Sequence, residues 1–284
     1  MKWLVRKIKG IPVVYRTYVT LKHSYQRATG LRHPIQDTGI VSGYKLTRLG
    51  SPNCGWTFVD DPSLKNSIIL SAGLGEDGSF DVEFASKYGA TVHIVDPTPR
   101  AISHFRSIIE RLGQPKEAAY SDTGTQQPEC YELGDVTVEQ LQLHKVAIWS
   151  ERKKVKFFLP KNTDHVSHSI VNFQNEYASN TPFIEVDAMP VRDILEENGV
   201  ALKDVAMLKL DIEGAEIEVI ESIFVAGFLP RQVLVEFDEF NVPTKRGVAR
   251  INRAHALLVE KGYGIIYTDL QKSTVKHSKG LIDA

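Results

Sequence analysis

One segment carries most of the information about the fold: Ser67-Ile-Ile-Leu-Ser-Ala-Gly-Leu-Gly-Glu-Asp-Gly-Ser-Phe-Asp81. It begins as a short apolar strand, passes through Gly73, Gly75 and Gly78, and continues with the pattern of a helix. A strand that ends in small residues and restarts as a helix lets a ligand approach bare backbone N–H groups at the positive end of that helix. The segment therefore predicts a ligand-binding turn between a strand and a helix.

The next apolar run places a carboxylate beside this turn. Thr91-Val-His-Ile-Val95 predicts a second strand, and Asp96 follows it directly. In nucleotide-binding α/β folds, an acid at this point holds a ribose diol. Strand, glycine turn, helix, strand and acid together predict a nucleotide-type site.

The acids inside the turn bear on which nucleotide binds. The spacing Gly73-x-Gly75-x-x-Gly78 fits the dinucleotide fingerprint, but Glu76 and Asp77 would repel a pyrophosphate placed there. S-adenosylmethionine instead brings an ammonium and a sulfonium to the turn and an adenosine to Asp96, so this methyl donor is favoured over NAD. The alternative is that both acids only complement the dipole of the following helix.

A second strand-to-helix motif is rich in acids: Met207-Leu-Lys-Leu-Asp-Ile-Glu-Gly-Ala-Glu216. Asp211 is predicted to end the strand, with Glu213 and Glu216 on the turn that follows. Because ligands of open α/β sheets bind beyond the carboxyl ends of the strands, we expect these acids to face the same crevice as the glycine turn. Glu216 is expected to be mainly structural, as a cap or as a partner of Lys209.

The two motifs together resemble the FkbM family of S-adenosylmethionine-dependent methyltransferases. The family signature reads much like Leu208-Lys-Leu-Asp-Ile-Glu-Gly-Ala-Glu216, and the block from Gly73 to Asp81, followed by Val95-Asp-Pro-Thr-Pro99, is also similar to the family. Val235-Glu-Phe-Asp238 resembles a later strand, although the family often has His at the position of Asp238. The resemblance extends from residue 55 to residue 268.

Motif positions and resemblance together give two sets of candidate site residues. The candidate donor-binding residues are Gly73, Gly75, Glu76, Asp77, Phe80, Asp96 and Pro97. The candidate catalytic residues are Asp211, which is the best placed, and Glu213, Glu236, Asp238 and His168. The resemblance implies O-methylation of a sugar, a polyketide or another small hydroxylated molecule, in which a general base near the acceptor hydroxyl assists. No compact metal motif is present, but convergent acids are an alternative means of holding a divalent cation.

Two other functions stay open at the level of sequence. The first is a nicotinamide-dependent oxidoreductase on a similar sheet, which the acidic turn and the lack of a clear Tyr-x-x-x-Lys signature disfavour. The second is a non-catalytic nucleotide-binding protein that retains the fold and docks on a membrane through its N-terminus.

The alternation of elements predicts a doubly wound α/β fold with a mostly parallel, seven-stranded Rossmann-like sheet, as in class I methyltransferases. This domain is expected over residues 51–284, after a basic, helical N-terminal extension over residues 1–50. The expected strands are 68–71, 91–95, 144–149, 183–187, 206–211, 232–237 and 263–268, with an antiparallel strand at 153–159. The expected helices are 79–88, 99–112, 190–198, a segment that Gly214 and Ala215 open and that runs to about Phe224, and 246–261.

Composition is that of a globular protein without strong electrostatic preferences. The 284 residues carry a formal net charge of −1, which gives no general attraction to nucleic acid, and no apolar run approaches the length of a membrane span. The basic run from Lys153 to Lys156 is interpreted as a solvated face. Cys54 and Cys130 lack metal spacing and indicate a reducing compartment, so a cytoplasmic location is expected.

Two polar segments complete the set of expectations. Eight Lys or Arg residues precede the first acid, Asp37. Residues 1–33 are therefore interpreted as a solvated helix packed on the domain or, alternatively, as a peripheral contact with the inner face of an anionic membrane or with a partner. Pro12 would break a helix running through the whole segment. The long polar loop 160–182 contains His165 and His168 and is typical of a lid or an acceptor-binding element.

Overall fold

Strands and helices alternate along the chain in the computed structural model, which describes residues 12–31, 40–159, 169–170, 180–237, 239 and 244–268. The elements are, in chain order, α1 (Pro12–Thr29), β1 (Leu46–Leu49), β2 (Trp56–Val59), β3 (Ile68–Ala72), α2 (Ser79–Tyr88), β4 (Thr91–Val95), α3 (Pro99–Glu110), β5 (Leu141–His144), β6 (Ala147–Ile148), β7 (Lys153–Phe158), β8 (Phe183–Met189), α4 (Val191–Glu197), β9 (Val205–Leu210), α5 (Glu216–Val225), β10 (Gln232–Val235) and α6 (Lys245–Glu260). His168 and Asp238 lie outside the described residues.

The central sheet has the strand order β5-β4-β3-β9-β10, and all neighbouring strands are parallel. The chain moves outward from β3 through β4 to β5, and later returns to place β9 on the other side of β3. This reversal creates a topological switch point between β3 and β9, the place where ligands of open α/β sheets bind. The predicted doubly wound, mostly parallel arrangement is therefore present.

Helices cover both faces of this sheet. Side chains of a strand alternate between faces, so Leu70 and Ala72 of β3 pack in a cluster with α4, α5 and α6, whereas Ile69 packs in a cluster with α2 and α3. Both clusters consist of buried aliphatic and aromatic side chains. The carboxyl ends of the strands are thus left as the open edge of a three-layer domain.

The described residues place five strands in the central sheet, so the prediction of seven is not met there. The predicted strand 144–149 is divided, because β5 ends at His144 and β6 pairs with β8 instead. β8 also pairs with β7, antiparallel, in a separate three-stranded sheet. A run of apolar residues indicates that a segment is buried, but it does not indicate which strand the segment pairs with. This explains why the sequence predicted too many strands for the central sheet.

The last predicted strand, 263–268, does not form. Tyr263, Ile265 and Ile266 are buried, and the Tyr263 hydroxyl donates to the carbonyl of Pro230 at 2.6 Å. The Ile265 carbonyl accepts one backbone hydrogen bond, from Val41 at 2.8 Å. The apolar alternation of this segment therefore reflects side-chain burial without a ladder of strand pairing.

A hairpin of β1 and β2 brings residues 50–56 to the open edge of the domain. Phe58 packs against Phe80 and Phe84 of α2, with ring centroids 6.0 and 5.4 Å apart. The side-chain amide of Gln232 in β10 both donates to and accepts from the backbone of Val59. These contacts fix the hairpin against the central sheet.

α1 begins at Pro12, whose fixed φ suits the first turn of a helix. In the part of the chain that the structure describes, no helix is long and apolar enough to cross a membrane. The division of the chain at residue 50 stays a prediction.

Candidate active site

The glycine turn and the acidic turn meet at the switch point between β3 and β9. Gly73 follows β3 with φ +91°, and Asp211 follows β9. The Asp211 N–H donates to the carbonyl of Ala72 at 3.1 Å, and a Cβ added at Gly73 would lie 2.0 Å from the Asp211 carbonyl oxygen. Glycine is therefore required at position 73, because the two turns pack backbone against backbone.

A cleft of about 510 Å³ opens at this point. Ten of the twelve candidate site residues line it, and the other two, His168 and Asp238, lie outside the described residues. The ten are Gly73, Gly75, Glu76, Asp77, Phe80, Asp96, Pro97, Asp211, Glu213 and Glu236. The structure thus brings both sets of candidates to one cavity, whose size is typical of small-molecule sites.

The Asp96 carboxylate organises the glycine turn from within. One oxygen accepts hydrogen bonds from the N–H groups of Leu74 and Gly75, both at 3.0 Å. The other oxygen accepts from the N–H of Thr98 at 2.9 Å and from its hydroxyl at 2.6 Å. A carboxylate has about four acceptor positions, so a ribose hydroxyl at Asp96 would have to share or replace one of these bonds.

The backbone N–H groups at the start of α2 also have partners within the protein. Gly78 donates to the Tyr131 hydroxyl at 3.0 Å, and Ser79 donates to the Asp77 carboxylate at 3.0 Å. Sequence reasoning expected bare N–H groups here, and that expectation is wrong. Since Asp96 takes two further N–H groups of the turn, four of the backbone N–H groups that could face a pyrophosphate are already bonded within the protein, which disfavours that ligand.

Glu76 does not contribute an unbalanced charge. Its carboxylate receives two hydrogen bonds from the Arg100 guanidinium, at 2.8 and 2.6 Å, and one from the Thr125 hydroxyl at 3.1 Å. The Arg100 guanidinium holds the pKa of Glu76 below its ordinary value. Glu76 therefore gives no electrostatic argument against a pyrophosphate. The argument against that ligand rests instead on the backbone N–H groups of the turn that already have partners.

Asp77 is held by neutral groups. Its carboxylate accepts from the Ser51 hydroxyl at 2.7 Å and from the Gln126 amide at 3.1 Å, besides the N–H of Ser79. Gln126 belongs to a stretch that the sequence indicated only as loop. That loop folds over the acidic turn, since the N–H of Gln126 also donates to the Glu76 carbonyl at 2.9 Å.

The acids after β9 have different environments. Asp211 and Glu213 are half-buried on the cleft wall, and Glu213 has the left-handed φ of +56°. Glu216 is 1% exposed and accepts from the N–H groups of Ile212 and Gly214 at 2.9 and 3.0 Å. Burial raises the pKa of Glu216 well above its ordinary value. Glu216 caps its own turn, as expected, whereas Lys209 bonds elsewhere.

The profile of the Methyltransferase FkbM domain matches residues 69–264 of the 284-residue chain. The chain belongs to the FkbM methyltransferase family. The resemblance on the two motifs is thereby confirmed, and an oxidoreductase is not favoured. Searches of curated proteins and of solved structures returned no match.

Three side chains that line the FkbM-type cleft were missed as site residues by sequence reasoning: the half-buried Cys54 and the buried Asp81 and Lys209. Burial raises the pKa of the Cys54 thiol to about 12, so this thiol is protonated and a poor nucleophile at neutral pH. Burial also raises the pKa of Asp81 to about 6. The only available signal was a charged residue at an inward-facing position of an apolar strand or helix.

One wall of the cleft is apolar and comes largely from outside the two motifs. Ile148 of β6, Phe157 of β7 and Ile170 belong to this wall. The small second sheet thus lines the same cleft as the acids after β9. Phe80, by contrast, is 1% exposed and packs mainly in the aromatic cluster behind the turn.

Within the described ranges, no group of three or more His, Cys, Asp or Glu side chains is placed to hold a metal ion. The acids that line the cleft instead differ in their hydrogen-bond partners. Glu76 is paired with Arg100, and Asp77 and Asp96 accept hydrogen bonds from neutral groups around the glycine turn. Asp211, Glu213 and Glu236 are the lining carboxylates that follow β9 and β10.

Proposed function

We propose that this FkbM-family methyltransferase uses S-adenosylmethionine to methylate a hydroxyl group of a small molecule such as a sugar or a polyketide. The supporting observation is the meeting of the glycine turn and Asp211 at the switch point, in one cleft of about 510 Å³. A donor site and a candidate base for the acceptor are thus adjacent.

The residues around the turn fit this donor by their chemistry. Gly73 and Gly75 line the cleft, and so do Asp96 and Pro97, which follow β4 directly and are the proposed contacts of an adenosine ribose. Asp77 accepts hydrogen bonds from neutral groups, and none of the described Lys or Arg side chains forms an ion pair with it, which suits a ligand that carries an ammonium and a sulfonium. The occupied N–H groups of the turn disfavour a pyrophosphate, and with it NAD.

When bound, the donor supplies a methyl group that is already activated by its positively charged sulfur. The protein's contribution is then to align the acceptor, exclude water and accept the hydroxyl proton. Asp211 is the proposed base because it follows β9 directly and faces the cleft, with Glu213, Glu236, His168 and Asp238 as further candidates. The wall of Phe157 and Ile170 would exclude water from that side.

Calorimetry tests the donor assignment directly. We expect the full-length protein to bind S-adenosylmethionine and S-adenosylhomocysteine, and to show no heat of binding with NAD⁺. Incubation with extracts and a labelled methyl donor should then release S-adenosylhomocysteine in proportion to labelled product. Binding of NAD⁺ without binding of the methyl donor would overturn the proposal, and donor binding without turnover on any extract would leave a binding protein in place of an enzyme.

We further propose that α1 makes a peripheral contact with the anionic inner face of a membrane. One stripe of this helix is apolar yet exposed: Val14, Leu21 and Tyr25 are 44%, 66% and 64% accessible. The polar Gln26 is instead 9% accessible, so the helix does not bury its apolar stripe against the domain. Eight cations and no acid precede Asp37, which gives the segment the charge to complement anionic lipid.

Vesicle flotation tests this contact with the full chain. The double variant Leu21→Gln/Tyr25→Gln should be recovered less with phosphatidylserine vesicles than the wild type, and 0.5 M salt should release both, because surface attraction is screened. Val225→Gln removes an even more exposed apolar side chain far along the sequence and serves as the control. Equal recovery of all three proteins, or equal recovery on neutral vesicles, would contradict lipid docking.

A further inference from the structure

Lys209 is a buried lysine at the point where the two turns of the site meet. It lies in β9 opposite Ser71 of β3, and it is 3% exposed. Removing an ammonium from water is costly unless hydrogen bonds and an opposite charge compensate it. An apolar residue would suit this strand position better, so the lysine requires a specific explanation.

The Lys209 ammonium is directed at the backbone of the glycine turn. It donates to the Gly73 carbonyl at 2.7 Å and lies 3.4 Å from the Ala72 carbonyl. The ring of Trp56 lies 5.2 Å away, within the range of a cation–π contact. These partners hold the end of β3 to β9 from the interior of the domain.

A buried carboxyl group balances this charge. Asp81 of α2 is 1% exposed, and its Oδ1 has no hydrogen-bond partner among the described residues. The positive charge of Lys209 opposes the rise that burial causes in the pKa of Asp81. Asp77 is the other acid whose charge acts on Asp81. Lys209 and Asp81 thus act on each other electrostatically in the lining of the cleft, without a direct ion pair between these two described side chains.

We propose that Lys209 is a positioning residue, which fixes the glycine turn against Asp211 by holding the Gly73 carbonyl. Three contacts at one junction carry the argument. Lys209 binds the Gly73 carbonyl, Gly73 packs on the Asp211 carbonyl, and the Asp211 N–H binds the Ala72 carbonyl. Because Lys209 and Asp211 are two residues apart, one strand sets both the donor turn and the candidate base.

The alternative is that Lys209 only neutralises Asp81, and a set of variants separates the two explanations. Lys209→Met removes the donor to Gly73 and the charge. Lys209→Met/Asp81→Asn also removes the hydrogen bond to Gly73, but it leaves no buried Asp81 charge without a compensating cation. This double variant should therefore fold even where the single variant does not. Lys209→Arg keeps a charged donor. Lys203→Met, at an exposed lysine just before β9, is the matched control.

Hydrogen exchange of the protein in the absence of S-adenosylmethionine gives the first measurement. The amides of Leu74, Gly75 and Asp211 are bonded across the junction, to Asp96 and to Ala72. We expect these amides to exchange roughly 10-fold or more faster in the double variant, because one hydrogen bond to a charged group is lost there. The exchange of the α6 amides should be unchanged. Lys203→Met should match the wild type.

Donor affinity gives the second measurement, and this one rests on the proposed function. S-adenosylmethionine should bind about 10- to 100-fold more weakly to the double variant, with partial recovery in Lys209→Arg. Restored affinity and wild-type exchange in the double variant would show that charge balance alone explains Lys209, and would overturn the proposal. A wild type that binds no donor would refute the proposed function, but the exchange measurement would still decide the positioning of the turn.

Discussion

Replacing Asp96 by Asn tests how the glycine turn is held, since the two side chains have nearly the same shape. The carboxylate accepts four hydrogen bonds, at 3.0, 3.0, 2.9 and 2.6 Å, from Leu74, Gly75 and Thr98. Asparagine has one carbonyl oxygen, so it can accept on one side only, and its NH₂ group then faces donors on the other side. When the asparagine oxygen keeps the bonds from Leu74 and Gly75, the Thr98 N–H loses its acceptor and faces the NH₂ group, whereas the Thr98 hydroxyl can turn and accept from that group.

The expected loss of unfolding free energy for Asp96→Asn is about 1–3 kcal/mol, the cost of leaving the buried Thr98 N–H without an acceptor. Urea denaturation followed by circular dichroism measures it, with Asp135→Asn as the control at an exposed acid. Under conditions where the variant remains folded, donor affinity should fall about 10-fold or more, because the turn is no longer fixed. Stability within about 0.5 kcal/mol of the control, together with unchanged donor affinity, would refute the reasoning.

Three further outcomes are expected. Asp211→Asn should lower turnover, measured by product release, by about 10²–10⁴-fold and should leave the affinity for the methyl donor, measured by calorimetry, nearly intact. Adding EDTA to the wild type should abolish activity only if the enzyme depends on a metal. Gly73→Ala should cost about 3 kcal/mol or more in urea denaturation and exceed Gly75→Ala, because its Cβ would lie 2.0 Å from the Asp211 carbonyl; equal effects would contradict the close packing. The folded-state pKa of Asp81, about 6, is above its ordinary value of 3.8, so ionising this acid costs more in the folded protein than in the unfolded chain. As the pH rises from 4 to 7, the unfolding free energy of the wild type should therefore fall by up to about 3 kcal/mol relative to that of Asp81→Asn. Parallel curves of unfolding free energy against pH would count against a buried titrating acid.

Local patterns predicted the central elements well. α2 and β4 form over the predicted residues, 79–88 and 91–95, because each has a clear period and a clear boundary in glycine or proline. The same patterns overestimated the central sheet. They identified the apolar runs 144–149 and 263–268, but not the break after His144 or the fact that residues 263–268 form no strand in the part of the chain that the structure describes. Pairing depends on partners distant in sequence, and periodicity contains no information about those partners.

The site shows the same division between local and distant information. Sequence alone determined that a glycine turn and an acidic turn follow two buried strands, and that the chain resembles the FkbM family, since those features lie within short contiguous motifs. Only the tertiary structure decided that Arg100 neutralises Glu76 and that the N–H groups of the turn are already occupied. It also decided that Lys209 holds the Gly73 carbonyl, 136 residues away along the chain. The electrostatic state of a buried group depends on neighbours that folding brings within a few ångströms, and the spacing of residues along the chain does not specify them.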